Sequence, residues 1–174
     1  DAFRRTPTPT YYLISPKDVV KATPRTFEER ARWLASRRKY ELALEICEAE
    51  CASSTSASAS VAAALLREIA AEYLTELLSE EKTLAKAASA CPRLLRGSAE
   101  EWVKWIDVFA DVRGGLGALA PYVPTASPTL PRAAYETVLL AFLADPRDHP
   151  RFLAIVKGAF YTLVPIRPRR RGER

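Results

Sequence analysis

The sequence predicts an all-α fold: an α-solenoid of antiparallel helical hairpins, preceded by a short extended N-terminal segment. Three observations carry this reading. Apolar residues recur at helical spacing through most of the chain, beginning after Pro24. Two Ser/Thr-x-x-Glu signatures, Thr26 with Glu29 and Ser98 with Glu101, mark helix starts. Large aromatics mark the first helix of successive pairs, with Trp33, Tyr73, Phe109 and Phe142 separated by 40, 36 and 33 residues. A drifting period of this size, two helices per unit, is the signature of stacked helical repeats, in which each hairpin buries an apolar face on the next.

Residues 1 to 25 hold Pro7, Pro9, Pro16 and Pro24 around the β-prone run "TYYLI". Pro16 interrupts this run and cannot donate to a ladder. The expectation is that residues 11 to 25 run extended without forming a sheet within one chain. Tyr12, Ile14 or Val20 should then lie on apolar surface near Trp33 and Leu44. The first helix starts at Thr26, with Phe27, Ala31 and Leu34 on one stripe. Tyr40, Ala43, Leu44, Cys47 and Cys51 form the next, and the short "SRRK" joint between the two implies an antiparallel pair. The run "ASSTSASAS" at 52 to 60 reads as a low-complexity linker.

A helix is expected from about Ser60 to Leu78, apolar on two sides as a helix between two neighbours would be. Another is expected from about Lys82 to Ala90, closed by "CPRLLRG". The next runs from Ser98 to about Val112, where Gly114 and Gly115 stop it, and a short one covers Leu116 to Ala120. After "PYVPTASPTLP", a stripe of Tyr135, Val138, Leu139, Phe142 and Leu143 predicts another helix. Phe152, Ile155, Val156 and Ala159 predict the last full one, and "FYTLV" begins a possible further one. The total is about seven to nine helices.

Trp102, Trp105, Ile106 and Phe109 fall on one helical face, a packing seam rather than an aromatic cage, because a cage draws rings from separate elements around a point. The glycines of "RGGLG" follow no strand and precede no Lys-Ser/Thr, so they read as helix termination and not as a phosphate loop. Cys47 and Cys51 are one helical turn apart and Cys91 stands alone. An odd number of cysteines argues for a reducing compartment and against a disulfide framework. A metal site would want more ligands, and the single histidine, His149, is distant in sequence. Asp145, Asp148 and His149 read as the approach to a helix N-terminus. The sequence therefore assigns no catalytic residue, no cofactor-binding residue and no metal ligand, and no enzymatic activity is expected.

The chain has 174 residues, 48% of them hydrophobic, and a formal charge of +5. Its last eight residues, "RPRRRGER", hold five arginines and one glutamate, so residues 1 to 166 are nearly neutral. Residues 167 to 174 are expected to be a basic, disordered tail that folding does not need. The longest apolar run, Val138 to Ala144, is too short to cross a bilayer, and no secretory signal pattern is present. The chain begins at Asp1 and contains no methionine, so a fragment or processed form is expected.

The run "YYLISPKDVVKATPRTFEERARWLASRRKYELALEICEA", with "KAASACPRLL", "WVKWIDVFA", "LGALAPYVPTASPTLPRAAYETVLLAFL" and "FLAIVKG", resembles a known family. It is similar to the junction between β-propeller and α-solenoid in the family of vacuolar protein sorting-associated protein forty-one, a subunit of the homotypic fusion and protein sorting (HOPS) tethering complex. The resemblance covers Tyr11 to about Val164. It implies that residues 1 to 25 are a linker out of a preceding β-propeller and that residues 26 to 166 are a solenoid segment. It implies a non-enzymatic scaffold acting in vesicle and endosome transport to the vacuole or lysosome. The implied partners are other HOPS subunits, with a Rab-type small GTPase and the adaptor-protein-3 coat reached through the full-length protein. The implied location is cytoplasmic, peripheral on vacuole, lysosome and late endosome membranes through indirect association. No nucleic-acid partner is expected. The alternatives are a basic helical nucleic-acid-binding module or a solenoid of another coat or tether protein.

Overall fold

Pro16 and Lys17 turn the N-terminal run back on itself. The structure, a computed structural model, describes residues 10–53, 56–144 and 153. Strand β1 (Tyr11–Ile14) pairs antiparallel with β2 (Val19–Ala22), Tyr11 opposite Ala22 and Ile14 opposite Val19. The expectation of a ladder-free segment is thus overturned. Pro16 does not merely break one strand; it sits at the second position of a turn, where its fixed φ is favoured. Ser15 opens that turn. Its N–H donates to the Asp18 carbonyl at 2.8 Å, and its hydroxyl oxygen accepts from the Asp18 N–H at 3.0 Å. The hairpin residues do not cover Trp33 and Leu44 either: Tyr12, Ile14 and Val20 are all exposed, Ile14 at 78%.

Helix α1 (Phe27–Ser36) begins with the full capping box: Thr26 accepts from the Glu29 N–H, and the Glu29 carboxylate accepts from the Thr26 N–H, both at 3.2 Å. It packs on α2 (Tyr40–Ser53) as a helical hairpin, burying Ala31 and Ala35 against Ala43, Leu44 and Cys47. The joint is three residues long. Arg38 adopts the left-handed conformation there (φ 57).

The expected linker at 52 to 60 is mostly helix: α2 runs to Ser53 and α3 spans Ser56–Leu78. Alanine is the best helix former, and serine tolerates the helix when its hydroxyl finds a partner. Ser53 donates to the Ala49 carbonyl, Ser60 to Ala57, and Ser58 to the Glu50 carboxylate at 2.8 Å. Two compact units divide the chain within α3, at Glu72 and Tyr73. In the first, α3 buries Ala62, Leu65, Leu66, Ile69 and Ala70.

In the second unit, Tyr73, Leu74 and Leu77 finish α3. The Thr83 hydroxyl, in a 3₁₀ turn over Glu81–Thr83, faces the Leu77 and Glu80 carbonyls. Helix α4 (Leu84–Leu95) continues five residues past its expected end at Ala90, through Pro92. An interior proline costs about 3 kcal/mol. Cys91, Leu94 and Leu95 extend the buried stripe of Leu84, Ala87 and Ala88, and that burial outweighs the local penalty.

Helix α5 (Ala99–Ala110) is capped by Ser98, whose hydroxyl accepts from the Glu101 N–H at 3.4 Å. The expected reciprocal half of this box is replaced, because the Ser98 N–H donates to the Leu95 carbonyl instead. Helix α6 (Gly115–Leu119) and a 3₁₀ turn over Ala120–Tyr122 follow. Helix α6 sits against α4, α5 and α7 (Arg132–Ala144), and α5 packs on α7. The loop before α7 is fastened by Tyr135, whose hydroxyl donates to the Pro124 carbonyl at 2.8 Å and accepts from the Leu130 N–H at 3.3 Å.

Seven α-helices stand among the described residues, within the expected number. The stripe at Phe152, Ile155, Val156 and Ala159, the "FYTLV" run, Asp145, Asp148, His149 and the tail at 167 to 174 lie outside the described residues.

Candidate interaction surfaces

The residues that looked most like a ligand site are core. Trp102, Trp105, Ile106 and Phe109 are all buried, as the one-face spacing requires. The Trp102 indole N–H donates to the Arg96 carbonyl at 3.4 Å, so the polar edge of the ring is satisfied inside the fold. Arg96 reaches this position with φ 48 and ψ −136, backbone that glycine tolerates far better.

The glycines serve packing. Gly114 takes φ 75 at the start of α6. A Cβ on Gly115 would fall on the Phe109 carbonyl oxygen, so the backbone of α6 approaches the end of α5 as only glycine permits. Helix α5 ends at Ala110, short of the expected Val112, and the glycines start the next element as much as they stop this one.

Cys47 and Cys91 are buried, and Cys51 is half-buried. Burial pushes the Cys47 thiol up to about 11, with smaller contributions from Cys51 and Glu48. Burial likewise pushes the Cys91 thiol up to about 12, against a hydrogen bond that acts the other way. Its Sγ donates to the Ala87 carbonyl at 3.3 Å. Such thiols are poor nucleophiles and poor metal ligands. Among the described residues, no group of three or more His, Cys, Asp or Glu side chains is placed to hold a metal ion.

What faces outward is a different set. Trp33, which marks the first helix in the aromatic series and lies off the Phe27, Ala31 and Leu34 stripe, is 45% exposed. The Arg25 and Arg37 guanidiniums lie 5.7 and 5.5 Å from its ring centroid. In α7, Val138 and Phe142 of the predicted stripe are buried while Leu143 of the same stripe is exposed, as is Leu140 outside it. Sequence reasoning missed Trp33 because helical spacing reports a face and not what covers it. The arginines on either side of it in sequence were the available signal.

Short helices joined by tight turns, with buried apolar seams, define a helical-repeat protein of the tetratricopeptide-like (TPR-like) class. A family model described as the Vps41 TPR-like region matches residues 68–167, and the chain belongs to that family. It is similar to the vacuolar protein sorting-associated protein 41 homolog of Solanum lycopersicum, 42% identical over 161 residues that cover 91% of this chain and 16% of that relative. The corresponding homolog of Arabidopsis thaliana is 41% identical over 150 residues, 86% of this chain and 14% of the relative. That of Homo sapiens is 29% identical over 147 residues, 84% of this chain and 16% of the relative. The chain thus spans 14% to 16% of the length of these relatives. No solved structure matches it. What the match gives this chain is a TPR-like region of that family, whose curated members carry vacuolar protein sorting in their names. Among the described residues no helix is long and apolar enough to cross a membrane.

Proposed function

We propose that this chain is a non-enzymatic scaffold segment of a membrane-tethering subunit, acting in vesicle and endosome transport to the vacuole or lysosome. The observation that carries the reading is the family match over residues 68–167, joined to a helical structure in which the seam from Trp102 to Phe109 and the thiols of Cys47 and Cys91 are buried in packing. In this reading residues 1 to 25 lead out of a preceding propeller and residues 26 to 166 belong to the solenoid. The partners are other subunits of the HOPS tether, with a Rab-type GTPase and the adaptor-protein-3 coat engaged by the full-length protein. Its place is cytoplasmic, peripheral to vacuole and late endosome membranes through those partners.

Crosslinking mass spectrometry of the assembled tether tests this. Lysines such as Lys39, Lys82 and Lys104 are expected to link to neighbouring subunits. Assembly and vacuole fusion that proceed unchanged after residues 26 to 166 are replaced by an unrelated helical rod of equal length would sink the specific role and leave only a spacer.

A further inference from the structure

We infer that the exposed Trp33 and its two arginines form a docking site for an acidic segment of a partner protein. The site is one patch of the first unit. Residues 25 to 39 carry Arg25, Arg30, Arg32, Arg37, Arg38 and Lys39 against only Glu28 and Glu29. Both glutamates are engaged: Glu28 lies 3.9 Å from Arg32, and Glu29 closes the capping box. Arg32 also faces Glu68 at 4.0 Å. Arg25, Arg30, Arg37 and Lys39 have no ion pair among the described residues. From residue 40 to residue 166 the chain instead carries more acidic than basic side chains, so within residues 1 to 166 the positive charge is concentrated at α1 and its turn.

Stacking decides what the patch fits. A guanidinium over an indole spends its flat face on the ring and keeps its N–H edge free. Arg25 and Arg37, 5.7 and 5.5 Å from the ring centroid, bring two guanidiniums to one ring, and a guanidinium fork is the donor that a carboxylate accepts bidentately. The exposed part of the Trp33 ring offers apolar contact between them. Tryptophan and arginine are also the residues that most often carry the energy of protein–protein contacts. A bilayer is a poorer fit, because inserting the indole would draw two charged groups toward hydrocarbon. A nucleic acid is poorer too, because single-strand binding uses several aromatic platforms along a basic groove, and Trp33 is the one exposed aromatic of α1. The occupant is therefore a protein segment with at least two carboxylates flanking an apolar side chain. The inference stands apart from the scaffold reading, since a chain with no place in a tether would still bind such a segment.

The probe is a fluorescein-labelled decapeptide of glutamates interrupted by two leucines, titrated with the 174-residue chain and read by anisotropy. Binding is expected to weaken at least about ten-fold in Arg25→Gln/Arg37→Gln and in Trp33→Ala, with Trp33→Phe retaining most of it. The control pair Lys104→Gln/Arg113→Gln removes the same charge from exposed positions elsewhere and is expected to change binding less than about two-fold. No binding of the peptide overturns the inference. So does an equal loss in the control pair, which would mean bulk electrostatics. Tighter binding to phosphatidylserine vesicles or to single-stranded DNA, lost in the same arginine variants, overturns it in favour of a membrane or nucleic-acid surface.

Discussion

The Lys39 N–H donates 3.0 Å to the carbonyl of Leu34, five residues back, while the Arg38 N–H donates 2.8 Å to Ala35. These two bonds close the end of α1 in the Schellman arrangement, whose left-handed residue is usually glycine. Here it is Arg38, with φ 57. Relief of the Cβ penalty predicts that Arg38→Gly stabilises the chain by about 1 kcal/mol. The melting temperature should rise by roughly 2–4 °C. A lower melting temperature would show that the Arg38 side chain contributes more than its backbone costs.

Gly115→Ala is expected to do the opposite. The added Cβ meets the Phe109 carbonyl, which belongs to backbone and cannot rotate away. Overpacking of this kind costs about 1–3 kcal/mol, and denaturant titration should show a lowered midpoint. Gly97→Ala, with open space around its Cβ, is the matching control.

Trp105 and Trp33 should separate cleanly. Trp105 is 4% exposed, and its replacement by alanine should cost about 3–5 kcal/mol. Trp33→Ala should cost less than half as much, since nearly half of its surface is already in water. Equal losses in thermal melts would contradict the burial described for these two rings.

The architecture was legible from spacing because helices repeat their buried positions every three or four residues. Ala43, Leu44 and Cys47 are buried as their stripe demanded, and so is the seam from Trp102 to Phe109. Three features were not legible, each for a physical reason. Pro16 was read as an interruption when Ser15 and Pro16 supply a turn, so a segment running extended without a sheet was expected where two strands pair. Serine between alanines was read as a linker, because composition does not reveal that the hydroxyls reach carbonyls and Glu50. Pro92 was read as a helix stop, because local propensity does not include the burial of Leu94 and Leu95. The surface around Trp33 follows from the same blindness to what covers a face.

Ile14→Lys tests the hairpin's exposure. With 78% of the side chain accessible, the change should alter stability by no more than about 0.5 kcal/mol. A loss of several kcal/mol would revive the expectation that this segment is packed on helices.

Alkylation should discriminate the three thiols. In the folded chain at pH 8, iodoacetamide should reach Cys51 first, with Cys47 and Cys91 protected until denaturation. The same groups shape the alkaline limit of stability. Their folded-state values of about 11 and about 12 lie above the ordinary 9.0, so unfolded thiols ionise first. The unfolded state then binds fewer protons, and stability falls as pH rises above about 9. Cys47→Ala/Cys91→Ala should flatten that fall in melts taken across the range.

The hairpin at Tyr11–Ala22 also has a consequence in time. Its ladder joins residues at most eleven positions apart, and its turn is closed by the hydrogen bonds between Ser15 and Asp18. Hairpins of this kind close in roughly 1–10 μs, whereas translation adds about 5–20 residues each second. During synthesis the ladder therefore samples its closed form many thousands of times before the ribosome has delivered the residues of α1, and helix assembly begins beside a segment that has already explored its own pairing.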